Sequence, residues 1–146
     1  MALCLRCGLC CDGTIFREAP LTDDERSRLG DRIEPSPNGA RLPCRALQAD
    51  RCCSIYAERP ATCRRYSCSV LRAMEAGRIT EQQAEEAIDE VVALRAAFLD
   101  ALGDRRGTRS PGVALQALRD GELGEPTPQT LEALERLGRA IAMLQL

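Results

Sequence analysis

The sequence predicts a mainly α-helical chain in which a small, irregular, cysteine-rich module precedes a helical half. All nine cysteines lie between Cys4 and Cys68, in the first half of the 146-residue chain. Large apolar residues are sparse in that half, which indicates a core too small to be stable without metals or crosslinks. The second half carries helix-capping signals and apolar residues at helical spacing. Together these features predict that the two halves of the chain differ in structure.

The change in composition predicts a boundary near residue 70, between a cysteine-cluster metal-binding module at residues 1–70 and a helical region at residues 71–146. The first part holds eleven Arg against nine acidic residues, and the second holds nine Arg against thirteen. The basic stretch at residues 104–109 is expected to be a solvated loop. The net charge of −2 gives no reason to expect a nucleic-acid partner.

Local signals within the module predict short elements. Thr22 and Glu25 form a capping-box pattern, which predicts a short helix that ends at Gly30. Residues 35–39 are rich in proline and include glycine, so a loop or tight turn is expected there. Pro60 predicts the start of a further short helix. Little strand is expected.

Three helices are expected in the second half, near residues 80–102, 111–120 and 128–145. Thr80 and Gln83 form a capping box at the start of the first. Proline follows Ser110 and Thr127, at the first helical position of the other two. The last helix is expected to turn an apolar face inward, and Leu131 belongs to that face.

The chain contains no histidine, and this excludes several kinds of site. Catalytic triads, HExxH zinc hydrolases and His-ligated catalytic zinc all need an imidazole. Clustered cysteines in a reducing compartment more often indicate metal or redox chemistry than structural disulfides. Their tight clustering argues against nine unrelated buried thiols, and their odd number argues against a disulfide framework. Metal binding by sulfur is the interpretation that the pattern favours.

The first cluster is Cys4-x-x-Cys7-Gly8-x-Cys10-Cys11. Two residues between cysteines let both sulfurs face one centre, and a glycine after the pair permits the tight turn that this requires. The spacing matches the C-x2-C-x2-C run of bacterial ferredoxins, without the fourth cysteine and the proline that follow there. In an extended chain, Cys10 and Cys11 would point in opposite directions. They would then serve two centres, or different atoms of one cluster.

The second cluster is Cys44, Cys52-Cys53 and Cys63 with Cys68. Pro60 would place Cys63 on a short helix, whose amino-terminal end favours the thiolate form. If the chain around Cys53 is extended, Cys52 points away from the site that Cys53 faces.

The chain resembles the bacterial CxxCxxCC cysteine-cluster family of candidate zinc- or iron-chelating proteins. The matching motifs span residues 4–68, and they are Cys4-x-x-Cys7-Gly8-x-Cys10-Cys11, Leu21-Thr22-x-x-Glu25, Pro43-Cys44-x-x-Leu47, Cys53-Ser54-Ile55-Tyr56-x-x-Arg59-Pro60 and Cys63-Arg64-x-Tyr66-x-Cys68. The resemblance implies eight metal ligands, namely Cys4, Cys7, Cys10, Cys11, Cys44, Cys53, Cys63 and Cys68. Cys52 is an addition to the family pattern. The same module accompanies an iron–sulfur centre in bacterial flagellin lysine methylases, but this chain is too short to be that whole enzyme.

These features predict a metal-binding protein that carries an iron–sulfur cluster on cysteine thiolates, for electron transfer, redox sensing or the handling of clusters or metal. Arg6, Arg59, Arg64 and Arg65 are placed along the sequence to offset the negative charge of such a centre. The alternative is a structural Cys4 zinc protein whose helical half binds a protein partner. A third hypothesis, an enzyme that uses the cluster, lacks any recognisable substrate or cofactor motif.

The start of the sequence and its hydropathy indicate where in the cell the protein is expected. No secretory signal opens the sequence, and no apolar run approaches the roughly 20 residues that a membrane span needs. The expectation is a cytoplasmic protein with no membrane partner.

Overall fold

The computed structural model describes residues 2–103 and 110–145 and divides the chain into two compact units, Met1–Ser67 and Cys68–Leu146. Helices account for 57% of the described residues and the single small sheet for 8%, so the predicted mainly α fold is confirmed. The loop expected at residues 104–109 lies outside the described residues. In the part of the chain that is described, no helix combines the length and the apolar character that a bilayer crossing requires.

The first unit consists of short elements joined by turns. They are α1 (Ala2–Cys7), β1 (Glu18–Pro20), α2 (Asp23–Leu29), β2 (Glu34–Ser36), β3 (Gly39–Arg41) and α3 (Ala61–Arg65), with single 3-10 turns at Gly30–Arg32 and Tyr56–Glu58. The strands form one antiparallel sheet in the order β1-β3-β2. A Cβ atom on Gly39 would stand 1.9 Å from the carbonyl oxygen of Ala19, so only glycine lets β1 and β3 approach this closely.

Two of the short helices begin where the sequence predicts. At α2, the Thr22 hydroxyl accepts from the Glu25 backbone N–H at 3.2 Å, and the Glu25 carboxylate accepts from the Thr22 N–H at 3.0 Å. The predicted capping box is therefore confirmed, and Gly30 ends the helix. Pro60 directly precedes α3, as its sequence position indicates.

The apolar core of the first unit includes a cluster of residues that lies beside the second cysteine cluster. Its buried members are Leu29, Ile33, Ala40, Ala46 and Ile55. Cys44 and Cys53 pack against this core from its edge. This part of the core therefore supports the backbone that carries both cysteines.

The second unit is helical, with α4 (Ser69–Glu75), α5 (Glu81–Ala101), α6 (Pro111–Arg119) and α7 (Pro128–Gln145). The expected capping box of Thr80 and Gln83 opens α5, and the Ser110 hydroxyl caps α6 ahead of its first-turn proline. Phe98 is completely buried. The inward orientation predicted for Leu131 is wrong, because this residue is 51% exposed one turn into α7.

Candidate metal centre

The amino-terminal cysteines lie on a helix and on the turn that follows it. Cys4 and Cys7 are three residues apart on α1, so they share a face of that helix. Gly8 then takes a φ of +63°, and a Cβ atom there would come within 3.2 Å of the Arg51 carbonyl oxygen. The predicted need for glycine after the cysteine pair is therefore confirmed, for both the backbone conformation and the close contact.

Cys10 and Cys11 lie in a hydrogen-bonded turn across residues 9–13. The backbone N–H of Cys11 and that of Asp12 both donate to the Gly8 carbonyl at 2.9 Å. The extended conformation assumed for this pair is therefore wrong, and the reason is that the glycine starts a tight turn. Opposite orientation of the two side chains does not follow from the backbone here.

The turn holds Cys11 directly against the segment that carries Cys44. The backbone N–H of Cys44 donates to the Cys11 carbonyl at 2.7 Å, so the two residues are neighbours although 33 positions separate them. The backbone N–H groups of Ala46 and Leu47 point at the Cys44 sulfur and lower the pKa of that thiol, since they stabilise the thiolate. Burial acts in the opposite direction and is the larger effect, so the pKa of Cys44 is raised.

Cys53 is brought close to Cys44 by a tight loop that turns the chain back on itself. It pairs with Leu47 in an isolated antiparallel bridge, and the Ser54 backbone N–H donates to the Ala46 carbonyl at 2.8 Å. These contacts hold the chain at Cys53 antiparallel to the chain that leaves Cys44. Both cysteines therefore rest on the apolar core of the first unit.

Cys63 is brought in by α3, and Glu25 holds the start of that helix. One carboxylate oxygen of Glu25 completes the capping box of α2, and the other accepts from the Ala61 backbone N–H at 2.7 Å. The same two backbone donors, Ala61 first and Thr22 second, hold the pKa of the Glu25 carboxyl below its usual range. The carboxylate thus ties α2 to the helix that carries Cys63.

These segments bring together four thiols, those of Cys11, Cys44, Cys53 and Cys63, which we call the four-thiol set. Every pair within the set interacts electrostatically. Burial raises the pKa of Cys11 to about 12, with further contributions from the other three thiols in the order Cys44, Cys53 and Cys63. Cys63 lies at the surface, yet desolvation around its sulfur, and then Cys44 and Cys53, raise its pKa to about 11.

The chemistry of the four-thiol set fits a thiophilic metal. Four thiolates in a partly desolvated space repel one another, so they can ionise together only with a cation among them. Across residues 2–103 and 110–145, no three Cys, Asp or Glu side chains stand in an arrangement that could hold a metal ion as they are. Metal binding to the set must displace the protons of its thiols.

The remaining cysteines occupy other positions. Cys4 is exposed on α1, while Cys7 and Cys10 are half-buried on the same segment as Cys11. Cys68 belongs to the second unit, where it precedes α4 and its sulfur accepts from the Leu71 backbone N–H at 3.5 Å. Cys52 donates its thiol hydrogen to the Leu5 carbonyl at 3.1 Å. Cys52 thus contacts α1, whereas the thiol of its neighbour Cys53 interacts with the four-thiol set.

Of the arginines that the sequence suggested, Arg59 interacts electrostatically with Cys63 of the four-thiol set. Its guanidinium stacks 3.9 Å above the centre of the Tyr56 ring, and its charge opposes the rise in the pKa of Cys63. Arg6 is exposed in the last turn of α1. Arg64 and Arg65 are exposed in the last turn of α3.

Arg51 is a residue of the site that sequence reasoning missed. Its Nε donates to the Cys7 carbonyl at 2.7 Å, and its Nη2 pairs with Asp12 Oδ2 at 3.1 Å. The Asp12 side chain is only 6% exposed and also accepts from the Thr14 backbone N–H at 2.8 Å. One guanidinium therefore bridges the end of α1 and the turn that carries Cys11. No local signal marks Arg51, because its contacts are 39 and 44 residues away.

A family of known proteins matches more than half of this chain. A family model named CxxCxxCC, with the description "Putative zinc- or iron-chelating domain", matches residues 3–91, which is more than half of the chain. The chain belongs to the CxxCxxCC family. The matched region includes the first unit, α4 and about half of α5, so the CxxCxxCC domain extends beyond the motifs at residues 4–68. Neither the curated proteins nor the solved structures gave a match.

The contacts of Arg51 lead to a testable expectation for the CxxCxxCC domain. Arg51→Ala removes the guanidinium that pairs with the buried Asp12 and donates to the Cys7 carbonyl. We expect metal affinity to fall by about 10- to 100-fold, the range that follows loss of a group supporting a metal ligand. Competition with a chromogenic chelator measures the change.

The matched control is Arg45→Ala, in the same loop. Arg45 is exposed, and its ion pair with the partly exposed side chain of Glu34 contributes little to stability. Affinity should therefore be nearly unchanged in this variant. If the two variants bound metal equally well, Arg51 would have no part in positioning the cysteines.

Proposed function

We propose that this CxxCxxCC protein carries an iron–sulfur cluster on cysteine thiolates and uses it in electron transfer, redox sensing or the handling of clusters or metal. The observation that carries the proposal is the convergence of Cys11, Cys44, Cys53 and Cys63 from separate segments of the first unit. This donor set is made entirely of sulfur, which suits iron–sulfur clusters and zinc. The ferredoxin-like spacing of Cys4, Cys7 and Cys10 is the reason for placing iron first.

The four-thiol set would then hold one centre. Cys4, Cys7, Cys10 and Cys68 complete the eight ligands that the family pattern implies, either as a second centre or as ligands to further atoms of the same cluster. When bound, such a cluster supplies one-electron chemistry. The protein's own part is to hold the thiolates, through the Cys44 backbone donors and the Arg51–Asp12 pair, and to offset their charge with Arg59.

The second candidate is a structural Cys4 zinc protein that acts as an adaptor through its helical half. A closed zinc site would use the same four sulfurs and would contribute folding energy without redox chemistry. The observation that favours an adaptor is an open apolar groove in the second unit. In both candidates a reducing compartment, the cytoplasm, would keep all nine thiols available.

The metal content of the protein distinguishes the two candidates. We expect protein that is produced and purified without oxygen to be brown, because iron–thiolate charge transfer absorbs visible light and zinc–thiolate bonding does not. Elemental analysis should find iron with acid-labile sulfide. Zinc with negligible iron in the anaerobic sample would replace the iron–sulfur proposal with the zinc adaptor. Absence of both metals would contradict both candidates.

The comparison must be made on anaerobic protein, since zinc readily fills thiolate sites that oxidation has vacated. A Cys52→Ser variant prepared in the same way provides a control, because Cys52 lies outside the family ligand pattern. It should retain the same metal and the same visible spectrum as the unmodified chain.

A further inference from the structure

The second unit contains an open groove between three of its helices, which we call the α4–α5–α7 groove. Its volume is about 670 Å³, and it is bounded by α4, the link to α5, and one face each of α5 and α7. Its floor includes Val91 and Leu144, which are almost fully buried. Met143 stands at its edge with 68% of its surface exposed. The groove thus offers an apolar floor that is open to solvent.

The shape of the groove suits a helix. The lining residues of α5 run from Ala87 to Leu94, and those of α7 run from Arg136 to Leu144. At 1.5 Å per residue these stripes are about 10–12 Å long, which corresponds to two turns of a docked helix. Ala87 of α5 and Ala140 of α7 both line the groove with small side chains, so a partner backbone can come close. Grooves of this kind receive amphipathic helices through apolar anchors one turn apart.

The charge of the groove indicates which helix it would receive. Arg78, Arg136 and Arg139 line it, against a single acidic residue, Glu90. Outside the groove, the sequence from residue 71 onward is acidic, with twelve acidic residues against six Arg. The groove therefore gathers positive charge on an otherwise negative part of the chain. Arginine pairs well with carboxylates, and arginine and methionine are both enriched in protein interfaces.

We propose that the α4–α5–α7 groove binds an amphipathic α-helix of a partner protein, with apolar anchors about one turn apart and Asp or Glu residues beside them. The apolar anchors cover Val91, Leu144 and the exposed Met143. The flanking carboxylates pair with Arg78 and Arg136. Arg139 already has a carboxylate partner in Glu135, at 2.5 Å one turn earlier on α7. None of the described residues that line the groove is a cysteine, so the proposed binding of a helix does not depend on which metal the cysteines hold.

Two synthetic helical peptides test the proposal on the full, metal-loaded chain. Both carry leucine one turn apart on one face; one has glutamate beside the leucines and the other has lysine. Fluorescence anisotropy should show saturable binding of the glutamate peptide and at least about tenfold weaker binding of the lysine peptide. The double variant Arg78→Glu/Arg136→Glu should bind the lysine peptide more tightly than the glutamate peptide. Met143→Glu should weaken binding of the glutamate peptide.

The control is Arg119→Glu on α6, which makes the same type of substitution at one position outside the groove lining. It should bind as the unmodified chain does, and thermal melting of the helical half confirms that each variant is folded. Failure of the glutamate peptide to bind, or equal binding of both peptides, would overturn the proposal. Self-association that Met143→Glu abolishes would also overturn it, by showing that a second copy of the chain occupies the groove.

Discussion

Cys53→Ser is expected to lose metal and to melt at a lower temperature, while Cys52→Ser keeps both properties close to those of the unmodified chain. Cys53 is one of the four thiols that converge, and serine removes a thiolate and leaves an open coordination position. We expect metal affinity to fall by more than about 100-fold, beyond the cost of losing a supporting group. Metal stoichiometry and thermal melting of the two purified variants give the comparison.

The neighbouring variant is a close control because the chemical change is identical. The Cys52 thiol donates a hydrogen bond to the Leu5 carbonyl, and a serine hydroxyl can donate to the same oxygen. The melting temperatures of the two variants after metal removal should agree, since neither residue then holds a metal. Equal metal loss from both loaded variants would instead mean that Cys52 is a ligand and that the count of eight ligands is wrong.

Removing the metal under reducing conditions is expected to unfold residues 1 to about 70 and to leave much of the helical half folded. Among the described residues, the helices of the first unit have at most seven residues and its strands have three, so much of its backbone lies outside regular elements. Metal binding energy is folding energy in modules of this size. The second unit buries Phe98, Leu99 and Leu137 and has no cysteine after Cys68.

Hydrogen exchange followed by mass spectrometry measures this difference peptide by peptide. Amides of the first unit should lose protection when a chelator removes the metal and regain it when metal is returned, while amides of α5 and α7 remain protected. The metal-loaded chain in the same reducing buffer is the control. Full protection of the first unit in the metal-free chain would show that its core and sheet are sufficient without metal.

The features that local sequence determines could be predicted well. The capping boxes of α2 and α5 each involve residues three positions apart, so Thr22 with Glu25 and Thr80 with Gln83 are visible in the sequence. Gly8 could be predicted for the same reason, because the turn that it allows is made by its immediate neighbours. In these cases short-range hydrogen bonding decides the structure.

Other features depend on residues far apart in the chain, and the sequence pattern could not supply them. Each strand of the small sheet has three residues, too few for a periodic pattern, and its pairing depends on a close contact between Gly39 and Ala19. The grouping of four of the eight candidate ligands into one set could not be predicted from spacing alone. Arg51 could not be found at all, because both of its partners lie in the first twelve residues.

The convergence of Cys11 with Cys63 has a consequence for the order of events during protein synthesis. The two residues are 52 positions apart, so a ribosome adding about 5–20 residues per second needs roughly 3–10 s to pass from one to the other. During that interval Cys11 has been synthesised while Cys63 has not. If the four-thiol set holds a metal centre as proposed, that centre can be completed only after translation has passed α3.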